Sequence, residues 1–139
     1  MKERSFLETN LLVYTDDADA PEKSAVALRW VEDALRSRKG VISTQVLQEY
    51  FATITRKLGV ELEIAKQRTR LLTRMSVVQI QPADVLAAID RVQLHRLSFW
   101  DALIVHAAIK AGCAVLLTED LQDGQVIDGV TIRNPFKSR

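Results

Sequence analysis

The chain has 139 residues, of which 47% are hydrophobic and 27% are charged, and this balance excludes an intrinsically disordered segment. The formal net charge is only +1, so total charge gives no indication of a nucleic-acid partner. The length fits a single domain over residues 1–139, because two ordinary hydrophobic cores need a longer chain.

The single cysteine, Cys113, excludes an internal disulfide and a zinc site built on cysteines. It lies in an apolar run, which favours a buried structural thiol over a nucleophile. The first residues carry no apolar signal region, and no apolar run reaches membrane-spanning length. These patterns predict a cytoplasmic protein with no membrane partner.

Short apolar runs alternate with longer segments of helical periodicity, which is typical of βαβ units around a parallel sheet. In chain order, the predicted elements are strand 5–8, helix 10–14, helix 21–38, strand 41–43, helix 45–57, helix 61–74, strand 77–80, helix 82–95, helix 99–111, strand 114–117 and a short edge strand 130–132. The predicted fold class is therefore α/β, a three-layer α/β/α domain with a central parallel sheet of four to five strands.

Helical spacing also predicts which side chains face the core. The inward positions are Val85, Ile89 and Val92 on helix 82–95, and Leu62, Ala65 and Leu72 on helix 61–74. Trp30 and Trp100 have apolar neighbours at helical spacing, which favours core packing over base stacking for both.

Four acidic residues stand where a predicted strand meets a helix or loop: Glu8, Glu49, Asp101 and Asp120. The first and fourth strands would be neighbours in a doubly wound sheet, so their ends would bring Glu8 and Asp120 together. Crowded carboxylates repel one another, and a divalent cation relieves that repulsion. Hard oxygen ligands suit Mg²⁺ or Mn²⁺, and an ion with open positions suits hydrolysis of a phosphodiester.

Each acid also has a structural explanation of its own. Asp101 and the serine three residues before it match a capping box. Glu49 has the position of an exposed helical residue, and Asp120 stands where a turn commonly starts. Glu8 is the hardest to explain structurally, because glutamate is a poor strand residue and this one ends a Phe-Leu run.

The sequence lacks the residue patterns that other kinds of catalytic site require. The chain has no Gly-rich phosphate loop and no serine in a nucleophile elbow. His95 and His106 stand apart from each other and from the cysteine, which favours packed or surface histidines over metal ligands. The segment from position 56 to position 74 contains six basic residues and only two glutamates. A solvated helix face is favoured for this segment over a phosphate-binding patch.

Four spaced motifs in this chain resemble the PIN-domain family, and in particular bacterial VapC-type toxins. They are Phe6-Leu7-Glu8-Thr9-Asn10, Glu49, Ser98-Phe99-Trp100-Asp101-Ala102 and Leu117-Thr118-Glu119-Asp120. The motifs occur in the family's order, and the resemblance covers essentially the whole chain. The tail over residues 129–136 is similar to one branch of the same family.

The resemblance implies a PIN-like fold and a Mg²⁺- or Mn²⁺-dependent endoribonuclease. By that resemblance, the metal would be held by Glu8, Asp101 and Asp120. Glu49 would act directly or through a bound water. The substrate would be RNA.

The same resemblance implies supporting groups and partners. Asn10 and Thr118 fall on the polar positions that would orient the carboxylates. Proteins of this kind typically form homodimers and are held inactive by a small antitoxin. Helices 45–57 and 61–74 resemble the antitoxin-docking groove, which gives the basic run a second use.

Glu8 departs from the family pattern, which reads Phe-Leu-Asp-Thr-Asn. The added methylene moves the carboxylate by roughly 1.5 Å, about one C–C bond. A misplacement of about 1 Å can cost on the order of 10²-fold in rate. We therefore expect the fold and partner surfaces to be kept, with weakened metal binding and attenuated cleavage. Both a natural variant and an escape change selected during cloning fit the sequence.

Three rival functions stay open at this point. The first is a non-catalytic PIN-like binding module, and the second is a PIN nuclease acting in RNA processing or on DNA without an antitoxin. The third is a phospho-receiver domain, which is disfavoured because the predicted third strand ends in Ile80-Gln81-Pro82 without an aspartate.

Overall fold

The computed structural model describes residues 1–137. Its strands are β1 (Ser5–Leu7), β2 (Gly40–Ser43), β3 (Ser76–Val78), β4 (Val115–Leu117), β5 (Val126–Ile127) and β6 (Val130–Arg133). Its helices are α1 (Thr9–Tyr14), α2 (Pro21–Ser37), α3 (Thr44–Arg56), α4 (Leu62–Leu72), α5 (Pro82–His95) and α6 (Phe99–Lys110). The predicted elements are all present, and their ends differ from the prediction by at most two residues.

The six strands form one sheet in the order β3-β2-β1-β4-β6-β5. All neighbouring pairs are parallel except β5 and β6, which are antiparallel. The α/β class is confirmed, as is the expected pairing of the first and fourth strands. The strand order reverses between β1 and β4, and ligands of open α/β sheets bind at such a switch point.

The helices lie in two layers because parallel crossovers are right-handed. The crossovers β1–β2 and β2–β3 run outward in one direction and place α1 to α4 on one face. The crossover from β3 back to β4 runs in the opposite direction and places α5 and α6 on the other face, where they pack against each other. The buried centre includes Phe6, Leu7, Ile42, Leu116 and Leu117.

Gly40 marks a close approach between α2 and the sheet. A Cβ atom at this position would lie 2.6 Å from the Cβ of Ala34 on α2. The absence of a side chain therefore lets α2 pack directly on the start of β2.

The tail of the sheet differs from the prediction. Residues 130–132 were expected to form an edge strand, but β6 lies between β4 and β5, and Val130 and Ile132 are buried. The edge is β5, joined to β6 by a two-residue turn in which Asp128 and Gly129 both have positive φ. An Asp-Gly pair between apolar residues is the usual signature of such a hairpin. The sheet therefore has six strands rather than four to five.

Three apolar side chains expected in the core are exposed: Leu62, Ile89 and Trp100. Leu62 is the first residue of α4, ahead of the part that packs. The α5 helix packs through Ala88, which turns Ile89 outward. Trp100 lies in the first turn of α6, whereas the buried positions of that helix begin at Ala102. Cys113 is buried, as predicted.

None of the helices in residues 1–137 combines the length and the apolar character that crossing a bilayer requires.

Candidate active site

Glu8 stands at the carboxyl end of β1, beside the end of β4. Its backbone N–H donates to the carbonyl of Leu117 at 3.2 Å, which continues the ladder that pairs Leu7 with Leu117. The side chain is only 8% exposed. Its Oε2 accepts a hydrogen bond from the N–H of Asn10 at 3.0 Å, so Glu8 also caps α1.

Asp120 is fixed from two sides at the end of β4. Its backbone N–H donates to the Thr118 hydroxyl at 3.1 Å, and its Oδ2 accepts from the side-chain amide of Asn10 at 3.1 Å. Thr118 is itself buried, and its N–H donates to the carbonyl of Arg133 at 3.1 Å. The two polar residues expected to orient the carboxylates therefore both contact Asp120.

Asp101 lies in the first turn of α6, where Ser98 is the N-cap. The Ser98 hydroxyl accepts from the N–H of Asp101 at 3.1 Å. Among the described residues, the reciprocal bond of a capping box, from the Ser98 N–H to the Asp101 carboxylate, is not formed. Capping therefore accounts for the backbone of Asp101 and leaves its carboxylate available to a ligand.

Glu49 is held by two hydrogen bonds to one oxygen. Its Oε1 accepts from the Thr9 hydroxyl at 2.9 Å and from Nε2 of Gln45 at 3.3 Å. The first bond ties α3 to the start of α1, one residue after Glu8. Sequence reasoning missed both partners, although Gln45 stands one helical turn before Glu49, where such contacts are common.

Electrostatics show that the four acids share one environment. Burial, the charge of Asp120, and the charges of Glu49 and Asp101 together raise the pKa of Glu8 from 4.5 to about 8, although the Asn10 N–H acts in the opposite direction. The pKa of Asp120 is also raised, by burial and by the nearby charges of Glu119 and Asp101. The fold therefore brings all four predicted acids into one cluster, which we call the acid cluster.

A family model for the PIN domain matches residues 5–123. The chain belongs to the PIN-domain family. No curated protein gives a significant match to the chain.

Solved structures share the fold of this PIN domain at low sequence identity. VapC20 from Mycobacterium tuberculosis has a TM-score of 0.65 and 22% identity, and the alignment covers 84% of this chain and 89% of that one. A toxin–antitoxin complex from Klebsiella pneumoniae gives 0.67 and 21%, covering 96% and 99%. VapBC2 from Rickettsia felis, bound to a promoter DNA fragment, gives 0.65 and 19%, covering 94% and 97%.

A fifth acid of the PIN domain, Glu119, lies next to Asp120 but is already paired. It accepts from the Tyr14 hydroxyl at 2.6 Å and from the Lys23 ammonium at 2.8 Å. The Lys23 ammonium also lies 5.1 Å from the ring centre of Phe136. These contacts pair Glu119 with Lys23 and bring Phe136 of the tail next to this pair.

The donor chemistry of the acid cluster fits a hard divalent cation, because its oxygens are carboxylates, and burial together with the charges of the neighbouring acids raises the pKa of Glu8. Within residues 1–137, however, no three His, Cys, Asp or Glu side chains are already grouped closely enough to hold an ion. The bond from Asn10 keeps the Glu8 carboxylate in its capping position. The ligand set is therefore gathered, but it is not closed around one point.

Proposed function

We propose that this PIN domain is a Mg²⁺- or Mn²⁺-dependent endoribonuclease and the toxin of a type II toxin–antitoxin pair. The observation that carries the proposal is the convergence of Glu8, Glu49, Asp101 and Asp120 at the switch point of the sheet. Structures of similar fold support the class: VapC20 is described as a toxin that cleaves the sarcin–ricin loop, and the Klebsiella pneumoniae structure as a toxin–antitoxin complex.

Glu8, Asp101 and Asp120 would hold the ion. When bound, a divalent cation acts as a Lewis acid toward the phosphodiester and lowers the pKa of a bound water. Asn10 would keep Asp120 in position through the 3.1 Å hydrogen bond to Oδ2, and Thr118 would fix the backbone of the same residue.

Glu49 would accept the proton of the attacking water. Thr9 and Gln45 both donate to Oε1, which fixes the carboxylate and leaves Oε2 as an acceptor. The water oxygen would then bond to phosphorus while the bond to the leaving ribose oxygen breaks.

Glu8 is proposed to attenuate this activity. The side chain is one methylene longer than that of Asp, and its Oε2 is engaged by the N–H of Asn10 as the cap of α1. Octahedral Mg²⁺ tolerates misplaced ligands poorly, so the remaining acids would bind it weakly.

The test is cleavage of RNA with Mg²⁺ and with Mn²⁺ by this chain, by Glu8→Asp, and by Glu8→Asp combined with Asp101→Asn. We expect Glu8→Asp to raise the rate by about 10- to 100-fold and Asp101→Asn to remove the gain. Failure of Glu8→Asp to raise the rate would show that Glu8 does not impair the site. Activity that survives Asp101→Asn would exclude the proposed metal ligands.

The proposed partner surface lies at the C-terminal end of α1, whereas the acid cluster lies at its N-terminal end. A cavity of about 270 Å³ is lined by Thr15, Asp16, Leu28, Val31, Tyr50, Arg68, Leu71 and Leu72. We call this surface the α2–α4 groove, and Tyr50 is its one residue from α3. Two of its apolar side chains, Leu28 and Leu71, are exposed, and Leu62 and Ile64 on the same helix as Leu71 are exposed as well. We place the antitoxin here, along the predicted helices 45–57 and 61–74.

A homodimer in the cytoplasm completes the proposal. The outer face of α5 presents Leu86, Ile89 and Leu94, all exposed, and such an apolar row suits a contact between two copies. Sedimentation of the purified chain tests the dimer directly.

A non-catalytic PIN module is the second candidate, and two observations favour it: the capping role of Glu8 and the open ligand set. Calorimetric titration with Mn²⁺ separates the two functions. Saturable binding by Glu8→Asp supports the nuclease, whereas no binding by either chain supports the module.

A further inference from the structure

A second concave surface adjoins the acid cluster on the side of α6. It has a volume of about 230 Å³ and is lined by Thr44, Gln45, Gln48, Ile80, Trp100 and Leu103. We call it the Trp100 pocket. Two of its residues immediately precede site acids in the chain, since Gln48 is followed by Glu49 and Trp100 by Asp101.

Trp100 has the character of a binding residue rather than a core residue. Its side chain is 61% exposed, although it is one of the largest apolar groups in the chain. Phe99 supports it from the edge, with ring centres 5.1 Å apart and planes at 72°. This contact leaves an indole face available, and flat exposed aromatic faces are the platforms on which proteins stack unpaired bases.

The polar groups of the pocket suit the edge of a nucleobase. Gln48 is exposed, and its amide offers both donors and an acceptor. Gln45 is 5% exposed, and its Oε1 is buried without a hydrogen-bond partner in the described residues, while its Nε2 binds Glu49. The Thr44 hydroxyl accepts from the N–H of Ile80 at 3.2 Å, which fixes the floor of the pocket between α3 and β3.

We propose that the Trp100 pocket binds one unpaired base of single-stranded RNA next to the scissile phosphodiester, with Trp100 as the stacking platform and Gln48 reading the base edge. The inference rests on the proposed nuclease function and adds a specificity site to it. Its volume is below the roughly 300 Å³ at which pockets for drug-sized ligands begin, which suits a single planar ring system. The Gln45–Glu49 hydrogen bond connects an occupied pocket directly to the proposed general base.

The first experiment measures binding without cleavage. Fluorescein-labelled oligoribonucleotides of A, C, G or U, and one carrying an abasic position, are titrated in EDTA and followed by fluorescence anisotropy. We expect Trp100→Ala to weaken binding of the best oligonucleotide by about 5- to 150-fold, the range for loss of a stacked base. Trp100→Phe should retain part of the affinity, and Gln48→Ala should change the order of base preference.

A matched control is Val126→Ala, because Val126 is 63% exposed and lies on the edge strand β5. It should bind RNA like the parent chain. The abasic oligonucleotide should bind the parent chain weakly, and its affinity for Trp100→Ala should be no lower than that. Equal binding of intact and abasic oligonucleotides by the parent would overturn the proposal. An unchanged RNA affinity of Trp100→Ala, accompanied by a loss of self-association in sedimentation, would assign the pocket to a second copy instead.

Cleavage kinetics separate this inference from the proposed function. In the Glu8→Asp chain, Trp100→Ala should raise KM for the preferred RNA more than it lowers kcat. If Trp100→Ala cleaves with an unchanged KM and base preference, the proposed role of the Trp100 pocket is wrong and the proposed nuclease function stands. Base-dependent binding at Trp100 with no cleavage by any variant would support the pocket and exclude the nuclease. The absence of RNA binding by both the parent and the Glu8→Asp chain, in EDTA and with Mn²⁺, would exclude both.

Discussion

Asn10 donates a hydrogen bond from its side-chain amide to Oδ2 of Asp120 at 3.1 Å, across 110 positions of the chain. Its backbone N–H binds the Glu8 carboxylate at the same time. One residue at the start of α1 therefore contacts two of the four acids.

We expect Asn10→Ala to reduce cleavage by about 10²-fold in the Glu8→Asp chain, because it releases Asp120 while leaving the acids themselves in place. The thermal midpoint should change little, since Asn10 is exposed. Gln93→Ala, which removes another exposed amide on α5, is the control and should cleave normally. Equal rates for the two variants would show that Asn10 does not position the site.

Because the pKa of Glu8 is raised, we expect the protein without bound metal to lose stability as the pH rises. Below pH 4.5, both the folded and the unfolded states hold the proton of Glu8. Between pH 4.5 and about 8, the unfolded chain ionises freely while the folded state resists ionisation, so the free energy of unfolding falls. Each pKa unit is worth about 1.4 kcal/mol.

Urea denaturation in EDTA across this pH range checks the effect. Glu8→Gln should flatten the decline, and Glu63→Gln, which alters an exposed glutamate of α4, should not. Added Mn²⁺ should restore stability to the Glu8→Asp chain at high pH. Parallel pH curves for the parent and Glu8→Gln would contradict the prediction.

Asp84 should stabilise the fold in the opposite pH direction. Its buried carboxylate accepts from Lys110 at 2.8 Å, from the N–H of Gln81 at 2.8 Å and from His106 at 2.9 Å. The pKa of Asp84 is held well below 3.8 despite its burial. The hydrogen bond from Lys110 lowers it most, and the bonds from the Gln81 N–H and from His106 lower it further. This stabilisation is present above pH 3.8 and is lost progressively as the pH falls below it.

We expect Asp84→Ala to lower the free energy of unfolding at neutral pH by roughly 1–3 kcal/mol, because its donors lose their acceptor. Asp84→Asn should cost less, since an amide oxygen can still accept from Gln81. The deficit should shrink near pH 3 in urea titrations. A deficit that is constant from neutral to acidic pH would assign the effect to packing alone.

If the α2–α4 groove binds the partner, a substitution there should abolish partner binding and leave RNA cleavage unchanged. Ile64→Asp with Leu71→Asp places two charges among the exposed apolar side chains of α4. We expect the tagged double variant to lose a small protein that the parent captures from the source cell, as identified by mass spectrometry. RNA cleavage should be unchanged, and Leu94→Asp on α5 should still capture the partner. Retention of that partner by the double variant would exclude the groove as the docking site.

The sequence predicted the sheet core and the acid cluster because both depend on local patterns. Glu8 and Asp120 each follow an apolar run, and strand adjacency brings those runs together. The sequence did not predict where Trp100 and Ile89 face, because helical spacing identifies an apolar side without showing whether the neighbouring element covers it. The contact of Asn10 with Asp120 depends on a rotamer, which no spacing specifies.

The short α1 helix sets the distance between the two surfaces proposed here. Six residues of α-helix rise by roughly 9 Å. Asn10 touches the acids at one end, while Thr15 and Asp16 line the α2–α4 groove at the other. A protein seated in that groove would therefore act on the acids without covering them if it moved α1 along its axis, since that movement would also shift the amide that holds Asp120. Inhibition of the proposed nuclease would then proceed by misalignment as well as by blockade.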